Sequence, residues 1–231
     1  MNTKKEGSLY LVSTPIGNLE DITLRAIRIL NEVDVIAAED TRITGFLLKH
    51  LGIQTRMESY HDYNKIKKTP LLIDQLQQGK SVAIVSDAGT PGISDPAYNL
   101  VREAIQSSIS IIPIPGAAAA IAGLTASGLP TDRFVFEGFL PAKKGRKNRL
   151  AKLAEEPRTI ILYEAPHRLL RTFSDLLDTL GNRTIAVCRE LTKKFEEIVR
   201  GPISDIMTVF AHRKIRGEFV LIIQGYSNKN V

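Results

Sequence analysis

The amino-acid sequence predicts two α/β domains, and three features carry that reading. Short apolar runs alternate with segments of helical periodicity along nearly the whole chain, which favours α/β layering over a helical bundle or a sandwich. After residue 184 the alternation gives way to a short β-like run, a helix and an apolar strand, so antiparallel pairing is expected in the second half. Around residues 116–132 the chain becomes small and glycine-rich and closes on a turn, which places a domain boundary there, with domains 1–117 and 118–231. The expected architecture is a mostly parallel N-terminal sheet and a mixed C-terminal sheet. A length of 231 residues accommodates two small domains.

LYLV (9–12) is the first strand candidate. Ile22, Leu24, Ala26, Ile27, Leu30 and Val33 recur at helical spacing behind Asp21, whose carboxylate suits an N-cap. VIAA (35–38), SVAIV (81–85) and SIIPI (110–114) follow as strands, with a helix near 96–107 behind Asp95 and another opening at the alanine run from Ala117. RFVF (133–136), TIIL (159–162), TIAVC (184–188), EEIV (196–199) and FVLII (219–223) are the strands of the second domain. Gly145 to Glu156 reads as an amphipathic helix with Leu150 and Leu153 inward. A stripe of Leu169, Leu170, Phe173, Leu176, Leu177 and Leu180 predicts a helix stopped by Gly181, and a last helix falls near 202–212.

Composition narrows the function. Hydrophobic residues at 43% and charged residues at 24% exclude a disordered or fibrous chain. Lys and Arg total 31 against 25 acids, a net charge of +6. Lys143, Lys144, Arg146, Lys147, Arg149 and Lys152 fall in one acid-free window and equal that whole excess, so the chain reads as a neutral body carrying one basic patch. Cations at a helix N-terminus oppose its dipole by about 0.3–1 kcal/mol each, a penalty that a bound anion such as an RNA backbone reverses. Lys143, Lys144, Arg146, Lys147 and Arg149 are therefore the candidate RNA-binding residues. Aromatics at 6% and no Trp favour phosphate contacts over extensive base stacking.

The single cysteine, Cys188, excludes an intrachain disulfide and fits a reducing compartment. No apolar run of membrane-spanning length exists, and the N-terminal apolar run is too short for a signal peptide, so the protein is read as cytoplasmic, without a membrane partner. One Cys, four His and no C-x-x-C or H-x-x-x-H spacing give no support to a metal site. The absence of a G-x-S-x-G elbow counts against a hydrolase.

In open α/β sheets, ligands collect beyond the carboxyl ends of the strands. Six of the strand candidates are followed there by STPIGN, EDTR, SDAGTPGISDP, PGAAAA, YEAPHR and RELTKK, whereas the opposite ends carry ordinary loops. Glycines and prolines at 86–96 let the backbone approach a ligand along a fixed path. The nearly bare start at 115–120 leaves room for a flat group, although tight helix-to-sheet packing explains it equally. Neither loop fits the dinucleotide or P-loop pattern, and a phosphate-free adenosine ligand would be compatible.

The motifs PIGNLEDIT (15–23), AEDTR (38–42), SDAGTPGISDP (86–96), IPGA (114–117), YEAPHRL (163–169), ELTK (190–193) and GEFVL (217–221) together resemble the ribosomal RNA small subunit methyltransferase I family of the tetrapyrrole methylase superfamily. The resemblance spans 8–225. It implies two α/β domains with the cofactor in the active-site cleft between them, usually in a homodimer, and transfer of a methyl group from S-adenosylmethionine, leaving S-adenosylhomocysteine. The acceptor it implies is the ribose 2′-hydroxyl of a decoding-region cytidine in 16S rRNA of the 30S subunit. It also implies cofactor contacts at Pro15, Ile16 and Gly17, at Asp87, Gly92, Ile93 and Ser94, and at Gly116, Ala117, Ala118 and Ala119. Tyr163, Leu191 and Phe219 complete the implied set. Relatives often carry Ser where this chain has Ala118, and many continue beyond the last strand, which shifts weight for RNA binding to 143–152.

A base that takes the hydroxyl proton is sought among Glu39, Asp40, Asp87, Glu164, His167 and Glu190, with Lys193 as a supporting cation. Asp40 and His167 are the two singled out. Two rival readings are a sibling methyltransferase acting on a tetrapyrrole or a diphthine-type substrate, and a non-catalytic RNA-binding protein. The PIGN and YEAPHRL motifs argue against the first, and binding of S-adenosylmethionine separates the second.

Overall fold

The computed structural model describes residues 7–227, and the chain divides into two compact units between Ala118 and Ala119. In the first unit the elements run β1 (Ser8–Val12), α1 (Leu24–Glu32), β2 (Val35–Ala38), α2 (Thr41–His50), β3 (Met57–Ser59), α3 (Lys65–Gln77), β4 (Val82–Val85), α4 (Ala97–Gln106) and β5 (Ser110–Ile114). The five strands form one sheet in the order β3-β2-β4-β1-β5, and every pairing is parallel. Parallel strands joined by helical crossovers are covered on both faces, which is why VIAA and VAIV are buried at every position. Alternate residues serve different cores. Leu9, Val35, Ala37, Val82 and Ile84 meet Leu72 and Leu76 of α3 and Leu100 of α4, whereas Val12, Ile36, Ala38, Ala83 and Val85 meet Leu30 of α1 and Leu48 of α2.

The second unit runs α5 (Ala119–Ser127), β6 (Phe134–Phe139), α6 (Arg146–Ala154), β7 (Thr159–Glu164), α7 (Leu169–Leu180), β8 (Thr184–Arg189), β9 (Glu197–Pro202), α8 (Ile203–Ala211) and β10 (Phe219–Ile223). Its sheet order is β6-β7-β10-β8-β9. Only β6 and β7 are parallel; β10 runs antiparallel to β7 and β8, and β8 to β9, as the changed pattern of the second half predicts. Leu150, Leu153, Phe173, Leu176, Ile206 and Phe210 of the three helices α6, α7 and α8 share one core with Phe219, Leu221 and Ile223 of β10. On α5, Gly123 lies so near Val220 that a Cβ there would be 3.2 Å from its Cγ1.

Three local expectations are corrected. Asp21 does not cap α1; it ends a short 3-10 turn (Leu19–Asp21), and Thr23 Oγ1 accepts the N–H of Ala26 instead. The strand β3 has no apolar run to announce it, because two of its three residues are Glu58 and Ser59. Helix α6 starts at Arg146, behind Gly145 at φ +85°, and ends at Ala154, short of Glu156. Asp95 stands one residue ahead of the N-cap of α4, which is Pro96, and its carboxylate accepts the N–H groups of Gly92 and Ala97.

Candidate active site

All five strands of the first sheet point the same way, so their carboxyl-terminal loops gather at one end of that sheet. The loops are braced to each other through hydroxyls and backbone. Thr14 and Gly89 exchange N–H···O bonds of 2.9 and 3.1 Å, and the Thr14 hydroxyl donates to Ser86 O at 3.2 Å. Thr90 Oγ1 donates to Ala117 O at 3.1 Å, which leaves Ser13 Oγ, 3.0 Å away, to donate to Thr90. Gly116 is required by this brace, because a Cβ there would sit 2.8 Å from Ser13 Cβ. Gly89, Gly92 and the non-glycine Ser94 have φ of +84°, +91° and +71°, which folds the 86–96 loop back on itself.

Three carboxylates stand at neighbouring strand ends. The N–H of Asp40 donates to Asp87 Oδ1 at 2.9 Å, and the N–H of Asp87 donates to Glu39 Oε2 at 3.3 Å. Burial pushes both Glu39 and Asp87 above the ordinary carboxylate range, with charge repulsion between neighbouring acids adding to it. Asp40 moves the other way. Its hydrogen bonds from the Arg42 side chain and from the Arg42 N–H, the latter capping α2, hold it well below the usual value.

In the second unit the ends of β6, β7 and β8 and the start of β10 lie at one end of the sheet, as the register Glu164–Phe219–Arg189 fixes. Glu164 is buried and accepts from the N–H of Ala165, from the Thr172 hydroxyl at 2.5 Å and from Arg168 at 3.2 Å. Arg168 also donates to Leu140 O. The Tyr163 hydroxyl oxygen accepts the N–H of Ala120 at 3.2 Å, and Phe136 and Phe139 pack edge-on to its ring.

A family model described as Tetrapyrrole (Corrin/Porphyrin) Methylases matches residues 8–207. A protein of Halalkalibacterium halodurans named ribosomal RNA small subunit methyltransferase I is 53% identical over 97% of this chain and 78% of its own length. One of the same name from Synechocystis sp. is 55% identical over 95% of this chain and 79% of its own. The chain belongs to the ribosomal RNA small subunit methyltransferase I family of tetrapyrrole methylases. The fold agrees: uroporphyrin-III-C-methyltransferase from Thermus thermophilus superposes with a TM-score of 0.67 at 20% identity, covering 94% of each chain. Another structure of that enzyme, complexed with S-adenosyl homocysteine, has a TM-score of 0.64.

In this tetrapyrrole methylase the site residues expected from sequence fall into distinct environments. Gly17, Gly92, Ile93, Ser94 and Gly116 are exposed, Asp87, Ala117, Ala118 and Ala119 are half-buried, and Pro15 and Ile16 are buried, so much of the open surface is backbone or small side chain. Leu191 is buried between Glu190 and Thr192, both left-handed. Phe219 has its ring inside the core against Phe210, which leaves only its backbone for a ligand. His167 is exposed on the turn Pro166–Arg168, beside the Glu164 network.

The basic patch is corrected. Arg146 is 4% exposed and points inward, donating to Asp175 Oδ2 at 2.6 Å, to Thr172 Oγ1 at 2.8 Å and to Pro141 O at 3.2 Å. It shares a helical face with Leu150 and Leu153, so the period that turned those leucines inward also turned Arg146 inward. Arg149 is exposed but paired with Glu137 at 2.9 Å. Lys143, Lys144, Lys147 and, beyond the five candidates, Lys152 remain as exposed cations of the stretch. The hydroxyl brace of Ser13, Thr14 and Thr90 was missed, since isolated Ser and Thr in loops carry no periodic signal.

Proposed function

We propose that this chain transfers a methyl group from S-adenosylmethionine to the ribose 2′-hydroxyl of a decoding-region cytidine in 16S rRNA, in the cytoplasm and on the small ribosomal subunit. The observation that carries the reading is identity above 50% over nearly the whole chain to proteins named ribosomal RNA small subunit methyltransferase I. The strand-end loops suit the cofactor chemically: an adenosine without phosphates needs backbone donors, acceptors and close approach, and 86–94 and 115–119 offer glycine, alanine and left-handed turns. Asp87, Pro15 to Gly17, Gly92 to Ser94, Gly116 to Ala119, Tyr163, Leu191 and the Phe219 backbone are the proposed contacts.

When bound, S-adenosylmethionine supplies a methyl group already activated by its sulfonium. The work left to the protein is to hold the acceptor oxygen in line and to manage its proton. His167 suits the base role better than Asp40. A carboxylate stabilised by Arg42 and a helix cap is a weak base, and its removal also uncaps α2. Lys143, Lys144 and Lys147 hold the RNA backbone. A homodimer suits the exposed Ile43 and Phe46 of α2 and Tyr63 and Ile66 near the start of α3, which a second copy would cover. Calorimetric titration with S-adenosylmethionine tests the cofactor assignment. Saturable heat supports it, and no heat leaves a pure RNA-binding protein as the better account.

A further inference from the structure

A second cationic surface lies at the same end of the C-terminal sheet, on the turns after β8 and before β10. Past Arg189 the chain turns through Glu190 at φ +50° and Thr192 at φ +67°, left-handed conformations that a β-branched residue such as Thr adopts only when its surroundings impose it. The surroundings do so. Glu190 N–H donates to Glu218 O at 3.0 Å, Glu218 N–H donates to Glu190 Oε1 at 2.9 Å, and Thr192 N–H donates to Glu196 Oε2 at 2.6 Å. Arg189 Nε donates to Arg216 O at 2.8 Å, and Arg213 pairs with Glu197 at 2.5 Å, so the two turns are fastened side by side.

These bonds also occupy the local acids, all but Glu196 with cations; its exposed carboxylate takes the Thr192 N–H. Glu190 and Glu218 share Lys193, and Glu197 is divided between Arg189 and Arg213. Lys194, Lys214 and Arg216 are exposed, and among the described residues none of them has a carboxylate within ion-pair distance. On the first of these turns Phe195 is 65% exposed, with the Lys194 ammonium 5.8 Å from its ring centroid. A lone solvated ring is ordinary. A ring on a turn pinned at several points, with Lys194 beside it and two further unpaired cations on the turn fastened alongside, matches what an unpaired RNA strand requires: a face for a base and charges for the neighbouring phosphates.

We propose that Lys194, Phe195, Lys214 and Arg216 form an RNA contact in which an unpaired base stacks on Phe195 and the flanking phosphates meet the three cations. The contact rests on the reading of the chain as an rRNA methyltransferase and adds a base-stacking element to it.

The test is fluorescence-anisotropy binding of labelled oligocytidine at several salt concentrations, with methylation of 30S particles measured in parallel. Phe195→Ala and Phe195→Leu should each weaken oligocytidine binding about 5- to 100-fold, with Phe195→Trp at wild-type affinity or tighter. Lys214→Gln with Arg216→Gln should flatten the slope of log affinity against log salt by about 1.4, two phosphates' worth on a single strand. Thermal unfolding should be unchanged in every variant, because the four side chains are exposed. Wild-type affinity in all variants, or no wild-type binding at low salt, overturns the proposal. A Phe195→Leu protein that binds oligocytidine like wild type while Phe195→Ala loses 30S binding also overturns it, in favour of a protein contact. Variant effects as expected, with no methyl transfer by wild type, leave the contact standing and remove the methyltransferase reading. Transfer with wild-type variant binding does the reverse.

Discussion

The Thr172 hydroxyl donates to Glu164 Oε2 across 2.5 Å, with both residues nearly or fully buried, and Thr172 Oγ1 in turn accepts from Arg146 at 2.8 Å. One threonine therefore joins a buried carboxylate at the end of β7 to a buried guanidinium at the start of α6. Arg168, bonded to both Glu164 and Leu140 O, closes the link to the loop that carries Lys143 and Lys144. The exposed cations thus stand on a segment anchored by a buried one.

Removing the anchor leaves Asp175 with only the longer contact to Arg171, at 3.8 Å. Arg146→Ala should destabilise the fold by about 3 kcal/mol, since it strips Asp175 and Thr172 of their donor, whereas Lys147→Ala should stay within about 0.5 kcal/mol. Urea midpoints measure both. Equal, small effects would contradict the structural role of Arg146.

The exposed cations are tested apart from the anchor. Lys143→Glu, Lys144→Glu and Lys147→Glu combined should weaken RNA binding and flatten its salt dependence while leaving affinity for S-adenosylmethionine unchanged. Parallel calorimetry and RNA titration decide the matter. A matching loss of both affinities would mean that the stretch supports the fold.

Gly116→Ala places a methyl group 2.8 Å from Ser13 Cβ, against the end of β1. The loop must move off the Ser13–Thr90–Ala117 brace, at a cost of about 1–3 kcal/mol. Affinity for S-adenosylmethionine should fall with it. Unchanged melting and unchanged binding would show that the brace is dispensable.

Much of this arrangement was legible in the sequence, and the failures have physical causes. Strand ends carrying Gly, Pro and charge identified the loops because parallel topology leaves them nowhere else to gather. Gly181 stopped α7 as expected, at φ +79°. Arg146 was misplaced because charge was counted along the chain, although its spacing from Leu150 and Leu153 already put it on the inner face. Asp21 lost the cap to Thr23 because both residue types cap well and only geometry separates them. The Lys194–Phe195 surface was hidden for the converse reason: acids adjacent in sequence made the segment look neutral until ion pairing showed which cations they had taken.

Asp87 gives a pH signature. Burial raises its pKa in the folded state, so the folded protein holds that proton more firmly than the unfolded chain does. Stability from this group is complete below the ordinary aspartate range and is lost as pH rises through the folded value. Asp87→Asn, which keeps an oxygen for the Asp40 N–H, should therefore melt higher than wild type at neutral pH, and the gain should vanish in acid. Thermal scans across pH check it; a lower melting temperature at neutral pH would contradict the sign.

The central claim is tested most directly by incubating the protein and labelled S-adenosylmethionine with 30S particles that lack its modification, then mapping the methylated nucleotide. The account predicts label on the 2′-oxygen of a decoding-region cytidine, lost or strongly reduced in His167→Ala. Absence of label there, or label on a base or a protein instead, would contradict it.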